Sequence, residues 1–185
     1  LSSVKSIGDK AVEAMMEISK TDKKDILDIY AAIKGTKINS SVFRKLVKIN
    51  YFKQYGTIKY ILRCLDVYDK WAGRKTISKS DIPQLGLQNI NLKKYTTDVT
   101  PKGNISKKRL VIYDKSICSN ISEEEFPSPI MAQFQYEILG YIDYRDEGMM
   151  DGYRTVCVTN LDTRYSPKFD AYCIKNGEIS EMKIH

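Results

Sequence analysis

Val4-Lys5-Ser6-Ile7-Gly8-Asp9-Lys10-Ala11-Val12 passes from an apolar residue through a short turn into the opening of a helix. Glycine at position 8 can take backbone angles closed to other residues. Asp9 puts a negative charge in the first helical turn, where it suits the helix dipole. Ala11, Val12, Met15, Met16 and Ile18 then recur at helical spacing. A helix entered this way directs unpaired N–H groups outward and can hold an anion, phosphate being the common one. Lys5 and Lys10 flank the turn with positive charge. Ordinary capped surface helices open with the same pattern, so the stretch alone leaves both readings open.

Outward from it, the apolar spacing predicts helices over about 9–19, 25–33, 41–49 and 57–71, with short connections. Gly35 is placed to close the second helix, and Asn39 or Ser40 to cap the third. Lys37, Arg44, Lys45 and Lys48 surround that third helix start, which repeats the arrangement at Gly8. A solvated charged face is the alternative for these cations. Residues 72–121 are less periodic and rich in Ser, Thr and Asn. They read as a linker with local structure, including the basic run Lys107-Lys108-Arg109 and a strand at Leu110-Val111-Ile112-Tyr113.

Ser122 is placed to cap a helix through Glu123, Glu124 and Glu125, which Pro127 and Pro129 interrupt. Helix resumes at Ile130 and ends at Gly140. The acidic loop Asp143-Tyr144-Arg145-Asp146-Glu147 matches no metal-loop spacing and reads as solvated charge. Strands follow at Tyr153–Thr159, Phe169–Ile174 and Ile179–Ile184, the last two joined by the hairpin signal Asn176-Gly177. Three strands leave two open edges and suit the first part of a five-stranded barrel. The expected class is α+β: a helical unit over 1–71, a linker over 72–121, and a helix with a small antiparallel sheet over 122–185.

With 42% hydrophobic and 29% charged residues, the chain is expected to fold rather than stay disordered. No apolar run approaches the ~20 residues of a membrane span. No secretion signal is recognisable, and position 1 is not Met, as expected of a piece of a longer chain. Cys64, Cys118, Cys157 and Cys173 form no C-x-x-C pair and His185 is the only histidine, which argues against zinc. Scattered cysteines without a secretion signal read as reduced thiols in a cytoplasmic protein. Residues 1–110 hold 23 Lys and Arg against 10 Asp and Glu, whereas residues 111–185 hold 7 against 13. Only the first part is therefore charged to meet phosphate.

Val4–Ala14, Asp25–Tyr30 and Lys37–Lys48 resemble a tandem helix-hairpin-helix unit. The order of parts is similar to the region after the fingers in the C-family replicative polymerases, the bacterial DNA polymerase III α subunits. Tyr136–Ile142 resembles the helix that precedes the oligonucleotide-binding barrel of that family, and the three strands would begin that barrel. The resemblance implies duplex primer–template DNA as partner, gripped by its phosphate backbone during replication. The implied contacts are Lys5, Ser6, Ile7, Gly8, Lys10, Lys37, Asn39, Ser40, Arg44 and Lys45. It places the palm with its metal-binding aspartates, and the Mg²⁺ they need, upstream of Leu1, so this chain is expected to hold no catalytic residue, metal or other cofactor.

Three features depart from the family. Ser6 stands where the first hairpin glycine is usual. Gln84-Leu85-Gly86-Leu87-Gln88 lies where the family carries its sliding-clamp peptide, which would place clamp contacts at Gln84, Leu85 and Leu87, but the terminal aromatic is missing. The barrel-like part is acidic, unlike grooves that bind single strands. A repair-enzyme fragment, a module docking on replication partners and a scaffold without DNA contact are the alternative readings.

Overall fold

Asn39 is extended (φ −85°, ψ 162°), and its side-chain carbonyl accepts the Val42 N–H at 2.8 Å, which starts a helix at Ser40. That helix belongs to a computed structural model describing residues 8, 12–13, 15–17, 25–33, 36, 38–71, 74, 76–78, 80–87, 91, 105–106, 116–143, 156–173 and 176–183. The chain is α+β. Residues 12–13 and 15–17 are helical. Then come α1 (Ile26–Ile33), α2 (Ser40–Lys48), a 3₁₀ turn (Lys53–Tyr55), α3 (Ile58–Trp71), β1 (Thr76–Ile77), α4 (Asp81–Gln84) and β2 (Ile105–Ser106). They are followed by α5 (Ser128–Leu139), β3 (Val156–Asp162), β4 (Lys168–Cys173) and β5 (Ile179–Lys183). Two compact units are present: Glu13–Glu125, and Leu1–Val12 with Phe126–His185.

In the first unit, α1, α2 and α3 enclose an aromatic centre. The Tyr30 ring lies 5.2 Å from Phe43 and 5.5 Å from Tyr68, and Phe43 lies 4.7 Å from Phe52. Ile33, Leu46, Ile58, Ile61, Leu65 and Trp71 are buried around it. Each such side chain contributes about 1.5–3 kcal/mol by leaving water. Gly56 turns the chain between the 3₁₀ turn and α3 at φ 133°, and the Tyr60 ring closes over it so that a Cβ would sit 2.7 Å from Tyr60 Cδ1.

The stretch expected as a linker supplies core. Ile82, Leu85, Leu87, Ile117, Cys118 and Ile121 are all buried, and β1 pairs antiparallel with β2 across most of it. The scattered apolar residues of 72–121 follow no single period because they sit on short elements that change direction. The expected strand at Leu110–Tyr113 lies outside the described residues.

No helix forms at Ser122–Glu125, a correction to the sequence reading. The Ser122 hydroxyl accepts the Glu124 N–H at 3.2 Å, but Glu125 is used elsewhere. Its carboxylate accepts the Ile58 N–H at 2.8 Å and the Lys59 N–H at 3.1 Å, capping α3 from 66 and 67 positions away in sequence. Lys59 pairs with Glu124 at 3.1 Å, and the Thr57 hydroxyl donates to the Glu124 carbonyl. Pro127 also disfavours helix at the residue before it.

In the second unit, β3, β4 and β5 form an antiparallel meander in that order, with a bulge between Val158 and Asn160. Cys157 and Tyr172 pair across strands on the face that α5 covers, where Tyr172, Ala132 and Ile142 form a small core. The Tyr136 and Tyr172 rings meet edge-on at 5.3 Å, and the Tyr172 hydroxyl accepts the Ile142 N–H. α5 ends at Gly140 in the left-handed region, φ 82°. The other face carries Val156, Val158, Leu161 and Met182, each about half exposed.

Candidate nucleic-acid interface

The hairpin between α1 and α2 is tied down at both ends. Thr36 donates its N–H and its hydroxyl to the Ile33 carbonyl, each at 2.8 Å, and its oxygen accepts the Ile38 N–H at 3.2 Å. Ile38 is then buried in the core, which leaves Asn39 exposed at the head of α2. Asn39 satisfies the Val42 amide, while the first helical amides, of Ser40 and Ser41, have no acceptor within the helix. Lys45 and Lys48 lie in the last turn of α2. The arrangement offers outward N–H groups at one end of the helix and lysines toward the other.

Two of the expected contact residues have their side chains engaged by other parts of the fold. Arg44 donates to Asp66 at 2.7 Å and to Asp69 at 2.9 Å. The Tyr30 hydroxyl donates to Asp69 at 2.8 Å and shares a 2.7 Å hydrogen bond with the Ser40 hydroxyl. Burial works against the Arg44 charge, but the hydrogen bonds to Asp69 and Asp66 outweigh it and hold its pKa above the ordinary value. Burial also raises the Tyr30 phenol; the Ser40 hydrogen bond opposes this and Asp69 adds to it. Ser40 and Arg44 therefore brace α1, α2 and α3 together. Tyr30, Asp66 and Asp69 were missed from sequence. A signal was present, because Asp66 and Asp69 stand three apart on one face of α3.

Asn39 and Lys45 remain at the surface of α2. Lys5, Ser6, Ile7, Lys10 and Lys37 lie outside the described residues. Gly8 is exposed and its carbonyl accepts the Val12 N–H at 3.3 Å. It does not use the left-handed region, and a Cβ there would meet nothing within 4 Å. The turn as described does not require glycine at that position.

Of the residues expected to reach a clamp, Gln84 is exposed at the end of α4, and its carbonyl accepts a hydrogen bond from Arg63. Leu85 and Leu87 are buried at 5% and 1% exposure, so neither apolar side chain is offered to a partner in this structure. Among the described residues no group of three or more His, Cys, Asp or Glu side chains is placed to hold a metal ion, and no helix is long and apolar enough to cross a membrane. The chain matches no known protein family, no curated protein and no solved structure.

Proposed function

We propose that this chain is a non-catalytic part of a replicative DNA polymerase of the C family, and that α1, its hairpin and α2 bind duplex primer–template DNA through the phosphate backbone. The observation that supports this reading is the braced hairpin that presents the Asn39-capped start of α2, a helix that carries Lys45 and Lys48 in its last turn. It lies in the part of the chain that carries 23 basic against 10 acidic residues. Outward main-chain N–H groups and cations grip phosphate without reading bases, which is what an enzyme that must copy any sequence needs. Asn39, the Ser40 and Ser41 amides and Lys45 are the proposed contacts, and Arg44 holds the helix that carries them. The three-stranded sheet is the opening part of an oligonucleotide-binding barrel in this reading, and catalysis with its Mg²⁺ belongs to another part of the polymerase.

Duplex binding measured at several salt concentrations tests it. The intact chain should show a log–log salt slope of several units. Lys45→Glu should reduce that slope by about 1 or more while leaving the fold unchanged. No duplex binding at low salt would overturn the proposal.

A further inference from the structure

Residues 29–65 hold eight Lys and Arg and no Asp or Glu. Tyr51 stands in that run, with Lys48 before it and Lys53 after it, and it is 42% exposed. Its backbone is fixed by the end of α2. Asn50 takes the left-handed region at φ 63°. Its N–H donates to the Val47 carbonyl at 2.9 Å, and the Tyr51 N–H donates to the Leu46 carbonyl at 3.1 Å, the paired bonds of a Schellman stop. The Tyr51 ring then meets Phe52 edge-on at 5.1 Å, and Phe52 is buried against Phe43. The exposed ring is thus oriented before any ligand arrives, and little freedom is lost on contact. Arg44 and Lys59 of the same run pair with carboxylates. Among the described residues no carboxylate pairs with Lys45 or Lys53.

We propose that Tyr51 stacks on an unpaired base at the end of a duplex, so that this surface selects DNA with a single-stranded overhang over continuous duplex. The inference rests on the duplex-binding reading above and adds to it the part of the DNA that is recognised. Three arguments carry it. An oriented aromatic ring among cations is the surface that binds single strands, the lysines meeting the backbone and the ring meeting a base. Within a duplex both faces of every base are covered by its neighbours, so a ring brought up to the backbone finds a free base face only where the pairing stops. The spacing also suits one DNA molecule. At 1.5 Å per helical residue, the Ser40 and Ser41 amides lie about 12–15 Å from Tyr51. That is about four steps of 3.4 Å along one strand, so a phosphate held at the start of α2 leaves the end of the duplex within reach of the ring.

The test titrates the whole chain with a blunt duplex and with the same duplex carrying a short template overhang. The overhang should raise affinity about five-fold or more, the scale of one base stacked on an aromatic side chain. Tyr51→Ala, checked for unchanged circular dichroism, should bind the two DNAs alike, and Tyr51→Phe should keep the preference. A second measurement needs no variant. With iodouracil as the first unpaired base, irradiation should crosslink the overhang to Tyr51, as mapped by mass spectrometry. Equal affinity of the intact chain for the two DNAs, a preference that survives in Tyr51→Ala, or crosslinks mapped only to other residues would each overturn the role of Tyr51 and leave duplex binding standing. Absence of binding to either DNA at low salt would overturn both readings.

Discussion

Arg44 and Lys45 are adjacent cations on one helix, and the structure separates their roles. Arg44→Ala removes hydrogen bonds to Asp66 and Asp69 and leaves the Tyr30–Asp69–Ser40 cluster without its positive charge. The Arg44 side chain is 26% exposed, while Asp66 and Asp69 are 42% and 36% exposed, so water screens both pairs substantially. Each pair is then worth about 0.5–1 kcal/mol, and the whole substitution should cost about 1–2 kcal/mol. With a urea m-value of about 2 kcal/mol per M, the unfolding midpoint should fall by roughly 0.5–1 M. Trp71, the single tryptophan, is fully buried in the same unit and reports the transition by fluorescence. Lys45→Ala should leave that midpoint within about 0.5 kcal/mol of the parent and instead lower the salt slope of duplex binding by about 1. Should Arg44→Ala leave the midpoint unmoved and flatten the salt slope, Arg44 is a phosphate ligand and the bracing argument fails.

Three other outcomes follow from the packing. Glu125→Ala should cost about 1–2 kcal/mol and speed hydrogen exchange at the Ile58 and Lys59 amides, whose acceptor it removes; unchanged exchange there would sink the cap. Gly56→Ala should cost about 1–3 kcal/mol, because the new Cβ meets the Tyr60 ring in a backbone region closed to alanine, whereas Gly8→Ala should stay within about 0.5 kcal/mol; equal midpoints for the two variants would contradict both. Burial raises the Cys157 thiol above its ordinary value near 9.0, so the folded protein holds it protonated. Its contribution to stability is present below that value and lost as pH rises through the folded one. In a variant keeping only this cysteine, iodoacetamide should react more slowly than with a free thiol at pH 8 to 9 and accelerate above, and fast labelling at pH 8 would refute the burial.

The sequence by itself determined α1, α2, α3 and α5 and the three strands of the second unit. Asn39 as a cap, Gly140 as a stop and Asn176-Gly177 as a hairpin act through neighbours a few positions away, and apolar spacing carries the rest. It determined which half is basic, because charge is a property of composition. Only the tertiary structure decided what the charged residues do. Arg44 looks like Lys45 in sequence, but a guanidinium reaching two carboxylates on α3 becomes a strut, and that meeting depends on how α2 and α3 cross. Glu125 looked like the first turn of its own helix; it caps another helix because folding brings the orphan amides of Ile58 and Lys59 to its carboxylate. Leu85 and Leu87 looked like a peptide to be offered, and core packing took them instead. Three successive strands already imply two open edges, but which face of the sheet α5 covers was decided only by packing, where Ala132 and Ile142 meet Tyr172.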